Sequence, residues 1–251
     1  INEARSQIIF KSFNSLKNLH GFTTQFFFCQ FPATDDLHSL FNRLLNFKKM
    51  THFSLYTFRD QSFETLHLKA LCSSLIRSPQ LQSLTLVFNG DNQSIDILIP
   101  ALSKLTSLTK LCLSLQGGHS IQADKILKLF IALGSIETLT DITLRFASCQ
   151  IIYENAFIEP WAGLQYLNVS AIRKLHLDPE KNLTKKGLTQ ILQALKKFTS
   201  LQILHLNLSD SQEIAHDSLT QLRSTLSGLT SLTSFGLLFP GFTENLALAF
   251  K

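Results

Sequence analysis

An α/β solenoid, in which strand and helix alternate along the whole chain, is the fold class this sequence predicts. Two observations carry the prediction: an apolar motif that returns at nearly constant spacing, and a helical apolar face between most successive copies. The motif is clearest in LTSLTKLCLSL, where Leu105, Leu108, Leu111 and Leu113 mark an apolar-x-x-apolar-x-x-apolar-x-apolar frame and Leu115 extends its end. Phe47-Met50-Phe53-Leu55, Ile136-Leu139-Ile142-Leu144, Val169-Ile172-Leu175-Leu177, Phe198-Leu201-Leu204-Leu206 and Leu229-Leu232-Phe235-Leu237 repeat it. Two copies carry a polar replacement, Ser78 before Leu81-Leu84-Leu86 and Thr24 after Leu16-Leu19-Phe22. The second apolar residue of each copy recurs at intervals of roughly 27 to 33 residues, a solenoid period. The end of the frame alternates with period 2 and reads as strand, beginning near Phe22, Phe53, Leu84, Leu111, Ile142, Leu175, Leu204 and Phe235. A lone strand and helix cannot bury their apolar faces, so neighbouring copies must stack.

Each helix follows from its own spacing. Ala4, Ile8, Ile9, Phe13 and Leu16 fit a helix covering the first rung. Pro32 ends the first strand region, and Asp35 or Asp36 can cap a helix whose apolar face is Leu37, Leu40, Phe41, Leu44 and Leu45. Leu68, Leu71, Cys72, Leu75 and Ile76 form the next face, with Pro79 at its exit. Asn89-Gly90 then signals a turn before Ile95, Leu98, Ile99 and Leu102, and Pro100 either kinks that helix or, as the shorter interval to the next copy favours, occupies the first position of a shorter one. Ala123 to Leu133 is helical, with Ile126, Leu127, Phe130 and Leu133 on one face. The fifth repeat departs from the pattern. Ile151-Ile152-Tyr153 and Glu159-Pro160-Trp161-Ala162-Gly163 show no helical face, and Leu164-Leu167-Val169 competes as a strand frame with Ile172-Leu175-Leu177, which keeps the period. Helices over Thr184–Phe198 and through Leu219, Leu222, Leu226 and Leu229 complete a single array, residues 1–251, of about eight repeats. Phe239, Leu246, Leu248 and Phe250 leave the last rung apolar, so a continuation of the chain or a bound partner is expected there.

Composition agrees with one continuous core. Of 251 residues, 45% are hydrophobic and 16% charged, which excludes a disordered chain, and no apolar run is long enough for a membrane span. The net charge of +5 is scattered except for an excess at Arg173, Lys174, Lys181, Lys185, Lys186, Lys196 and Lys197, read first as a solvated helix face and alternatively as a surface for an acidic partner or nucleic acid. Cys29, Cys72, Cys112 and Cys149 fall in four different repeats without a metal-binding spacing, as expected of reduced thiols in an intracellular, cytoplasmic protein. Asn-x-Ser/Thr matches at Asn92, Asn168, Asn182 and Asn207 matter only in a secreted chain.

Strand followed by helix at about thirty residues resembles the leucine-rich repeat family, in its helix-bearing, ribonuclease-inhibitor-like class. The resemblance covers nearly the whole chain. It implies a right-handed leucine-rich-repeat solenoid, with a parallel β-sheet on the concave side and helices on the convex side, that binds other proteins through the concave surface. One departure stands out. The Asn that normally follows the last strand Leu by three residues is Asn89 in one repeat but Gln116, Ala147, Glu180, Ser209 and Pro240 in others. Just before it stands an apolar column of Phe26, Phe88, Leu115, Phe146, Leu208 and Phe239, which is expected to replace the Asn ladder.

No nucleophile elbow, metalloprotease motif, phosphate-binding loop or dinucleotide fingerprint is present, so neither catalysis nor a cofactor is expected. Period-2 alternation instead names a binding face. Residues between the buried strand positions form three rows: His52, Ser83, Lys110, Asp141, Lys174, Ile203 and Ser234; Ser54, Thr85, Cys112, Thr143, His176, His205 and Gly236; Tyr56, Val87, Ser114, Arg145, Asp178, Asn207 and Leu238. Freed from stacking constraints, Lys110, Asp141, Thr143, Arg145, Lys174, His176 and His205 collect charge of both signs and are the expected contact residues, with Ile203 and Leu238 as an apolar flank. His176 and His205 should be neighbours, but beyond Asp178 no third metal ligand lies beside them, and they read as surface imidazoles. Cys112, the one thiol expected on this face, has no neighbouring base and reads as inert. The leading expectation is a non-catalytic protein-interaction module or scaffold. The alternative is a structural subunit associated with nucleic acid or a ribonucleoprotein.

Overall fold

The computed structural model describes residues 18–27, 41–42, 49–58, 65–116, 120–146, 149–153, 159–179, 183–209, 216–239 and 242–248. Eight parallel strands lie side by side in chain order: β1 (Gly21–Phe27), β2 (His52–Phe58), β3 (Ser83–Asn89), β4 (Lys110–Gln116), β6 (Asp141–Phe146), β8 (Lys174–Asp178), β9 (Ile203–Asn207) and β10 (Ser234–Phe239). Each begins one residue before the position expected from the motif. Two short strands, β5 (Ser120–Gln122) and β7 (Gln150–Ile152), pair separately in parallel. The crossovers contain α1 (Thr65–Leu75), α2 (Asn92–Leu102), α3 (Ala123–Gly134), a 3-10 helix (Pro160–Tyr166), α4 (Lys185–Leu195) and α5 (His216–Gly228).

The register follows the motif rung by rung. Leu84, Leu111, Ile142, Leu175, Leu204 and Phe235 align across neighbouring strands, as do Leu86, Leu113, Leu144, Leu177, Leu206 and Leu237. All but Leu237 are buried, and they share one core with the helix residues Leu71, Leu98, Ile126, Phe130, Leu188 and Ile191. A one-residue slip would turn this whole set to the opposite face, so the stacked apolar columns fix the register. The arrangement is leucine-rich-repeat-like: strand and helix alternate, and successive strands are neighbours.

Two devices tie neighbouring rungs together at the ends of the strands. The first is the expected apolar column, with Phe88, Leu115, Phe146 and Leu208 buried. The second lies at the other end of the strands and was not foreseen. The N–H groups of Thr109 and Lys110 both donate to the Gln82 carbonyl at 2.8 and 2.9 Å, and the pattern continues with Thr140 and Asp141 on Thr109, Arg173 and Lys174 on Thr140, Gln202 and Ile203 on Arg173, and Thr233 and Ser234 on Gln202. Thr hydroxyls add a third donor to several of these carbonyls: Thr109 to Gln82 at 3.0 Å, Thr140 to Thr109 at 3.1 Å and Thr233 to Gln202 at 3.0 Å. Backbone polar groups at the strand starts are thereby satisfied before each strand enters the sheet.

The irregular fifth repeat is built on glycine rather than on an amphipathic face. Its 3-10 helix carries Trp161, fully buried and edge-on to Phe130 and Phe146 at ring distances of 6.3 and 5.8 Å. A Cβ on Gly163 would fall 2.7 Å from Phe130, and one on Gly187 would fall 2.7 Å from Trp161. Beside Trp161, the buried Glu159 accepts a hydrogen bond from Thr184 Oγ1 at 3.3 Å, while Thr184 caps α4 by accepting from the Gly187 N–H at 2.9 Å.

Two expectations are corrected. Pro100 lies in the last turn of α2, not at its start, because Asp91 caps the helix upstream by accepting from Ser94 N at 2.8 Å. Placed late, its ring deprives the helix of a single hydrogen bond, from a position at the exposed surface. Ile76 lies beyond the end of α1 and is 44% exposed, so it is not part of the apolar face. At the C-terminal end, β11 (Phe242–Leu248) adds a ninth, antiparallel strand against β10, with Leu237 opposite Leu246. The expected helices at Ala4–Leu16 and Leu37–Leu45 lie outside the described residues, apart from the helical Phe41, which is fully buried, and Asn42.

Candidate binding surface

Alternation sends every second strand side chain away from the helices, and the observed register assembles the three expected rows on that open face. In the first row Ser83, Lys110, Asp141, Lys174, Ile203 and Ser234 are successive partners, and in the second Thr85, Cys112, Thr143, His176, His205 and Gly236. In the third row Ser114, Arg145 and Asp178 are partners in turn. All seven expected contact residues thus lie on four adjacent strands, β4, β6, β8 and β9. Not all of the third row is accessible, since Val87 and Ser114 are buried.

The charges sit in a defined order. Asp141 stands between Lys110 and Lys174, and Lys110 Nζ lies 3.7 Å from Asp141 Oδ2, a partly exposed pair that contributes little to stability. Ser83, Thr85, Lys110, Cys112, Asp141, Thr143 and Lys174 line a depression of about 230 Å³. Beyond it the His176 and His205 rings stack, with centroids 5.6 Å apart and planes at 20°. Gly236 makes room for that stack, since a Cβ there would fall 2.9 Å from His205 Nδ1. Burial, aided by Arg145, His205 and Lys174, holds the His176 pKa down to about 4, so this imidazole is neutral at neutral pH. Burial likewise raises the Cys112 thiol against the pull of Arg145 and Lys174, leaving it protonated and a poor nucleophile. Among the described residues no three His, Cys, Asp or Glu side chains converge on a metal position.

No protein-family model matches the sequence, and no curated protein matches it. Among solved structures the chain is similar to leiomodin-1 actin-binding site 2, at 16% identity and a TM-score of 0.42, over 79% of this chain and 90% of that one. It is also similar to the C-terminal domain of Caenorhabditis elegans tropomodulin, at 9% identity and a TM-score of 0.34, over 89% and 92% of the two chains. TLR13 in its complex with ssRNA13 matches at 15% identity and a TM-score of 0.26, over 78% of this chain and 37% of that one.

The basic excess noted in the sequence does not gather on one surface. Lys174 is on the open face, Lys185 and Lys186 begin α4, and Lys196 and Lys197 follow its other end, with Lys181 outside the described residues. Nine helical residues lie between the two lysine pairs, which places them about 15 Å apart along the axis. Two features of the site escaped the sequence reading. Thr85 lines the depression although it bears no charge, and Gly236 acts through the space it leaves. A glycine where neighbouring rungs carry side chains was the signal for the second. Among the described residues no helix is long and apolar enough to cross a membrane.

Proposed function

We propose that this chain is a non-catalytic protein-interaction module or scaffold that binds a partner protein through the helix-free face of its sheet. In this reading the array is a right-handed solenoid of the ribonuclease-inhibitor-like kind, the open face is its concave side, and the setting is the cytoplasm. The observation that supports it most is the continuity of that face: its mostly polar rows remain in register across β3, β4, β6, β8, β9 and β10, and among the described residues the helices pack against the opposite, apolar columns. Mixed charge on such a surface favours an orientation-specific contact over non-specific adhesion. Capture of partners on immobilised protein, with and without nuclease, tests the class of partner. A protein retained after nuclease treatment, with an affinity that falls only shallowly with salt, fits the proposal. A partner lost to nuclease, with a steep log-linear salt dependence, would replace it with the nucleic-acid reading.

A further inference from the structure

We propose that the part of the open face around the stacked histidines recognises a carboxylate-bearing segment of the partner protein, seated over His176 and His205 between Arg145 and Lys174. This rests on the reading of the open face as the binding surface and adds the chemistry of what docks there.

The platform is built rather than incidental. A Cβ at 236 would fall 2.9 Å from His205 Nδ1 and displace the ring from its place, nearly parallel to His176. Arg145 on β6 and Lys174 on β8 act electrostatically on both His176 and Cys112, so the two cations bracket the middle row. Neither forms an ion pair among the described residues, whereas Lys110 already lies near Asp141. The groups around His176 are Asp141, Thr143 and Arg145 from β6, Lys174 and Asp178 on its own strand, and His205 and Asn207 from β9. Two uncommitted cations, a hydroxyl and two imidazole edges suit a carboxylate. Asp141 and Asp178, on either side, would repel a continuous line of anionic groups, which argues for an isolated carboxylate on a peptide over a nucleic-acid backbone.

Proton linkage follows. In the free protein burial first, and then Arg145, His205 and Lys174, oppose protonation of His176. A carboxylate seated beside the ring opposes that influence, so binding raises the affinity of His176 for a proton. Affinity must then rise as pH falls through the pKa of the bound form.

The test uses a fluorescent, end-blocked peptide with one glutamate among serines and glycines and, in parallel, a fifteen-nucleotide oligo-dT, both titrated with the intact chain at about pH 7.5 and about pH 5.5. Histidine ring NMR signals are followed alongside. The expected result is peptide binding at least about threefold tighter at the lower pH, with the His176 resonance moving toward the imidazolium position on binding. His176→Gln should abolish the pH dependence while far-UV circular dichroism is unchanged, and Arg145→Gln with Lys174→Gln should weaken the peptide at least about tenfold. Stronger binding of oligo-dT than of peptide at the same resonances would overturn the proposal in favour of phosphate. Absence of any shift at His176 at millimolar peptide would overturn it outright. A captured partner that needs the open face but binds independently of pH would remove the carboxylate site while leaving the protein-interaction reading in place.

Discussion

At the scale of single residues, two ionisable groups, the buried Glu159 and the half-buried His176, give the fold opposite responses to acid. Glu159 is buried beside Trp161, and among the described residues nothing donates a hydrogen bond to its Oε1. Burial raises its pKa, against the opposing influence of the Thr184 hydroxyl and Lys186. A carboxyl whose folded pKa is raised favours the fold most below its ordinary range, and that contribution is lost as pH rises through the folded value. Glu159→Gln should therefore be at least as stable as the parent at neutral pH, and urea midpoints measured from about pH 4 to pH 8 should lose part of their slope. His176 has the reverse sign. Its pKa, lowered to about 4, means that stability falls as pH drops from the ordinary imidazole value toward the folded one. Replacing it with Gln should reduce acid destabilisation across that window. Neither effect is legible in the sequence, where Glu159 stands in a stretch without period and His176 is one polar residue in an alternating strand. Both depend on what burial and neighbouring rungs bring together.

At the scale of elements, period 2 made the strands readable to within one residue, because each buried Leu column is compulsory in a stacked array. Truncating Leu113, which is 1% exposed and aligned with Leu86 and Leu144, to Ala should cost about 2 to 5 kcal/mol in chemical denaturation. The 3-10 helix was unreadable for a different reason. Trp161 is held by the absence of side chains at Gly163 and Gly187, and glycine packing leaves no apolar period to detect. Gly163→Ala should accordingly destabilise the chain by about 1 to 3 kcal/mol through overpacking against Phe130. Pro100 was misplaced because a proline inside an apolar run has two readings, and the Asp91 cap upstream decided between them. The Thr and carbonyl ladder at the strand starts also lay hidden, since one threonine per repeat is an ordinary surface choice until register stacks it.

For the molecule as a whole, contact runs from each rung to the next, so a local lesion should spread along the array and fade with distance. Hydrogen exchange of the Leu113→Ala variant should show faster exchange in β3, β4 and β6 than in β10. The strongest functional claim is also one of scale: a partner meets a surface that no single repeat supplies. Charge reversal tests it most directly, once a partner has been captured. Arg145→Glu with Lys174→Glu alters the open face, and Lys185→Glu with Lys186→Glu alters the start of α4 on the helix side. With both variants shown to be folded, the open-face pair should weaken partner binding at least about tenfold, or about 1.4 kcal/mol, while the helix-side pair leaves it nearly unchanged. Loss of binding in the helix-side variant, with full affinity retained by the open-face variant, would contradict the account.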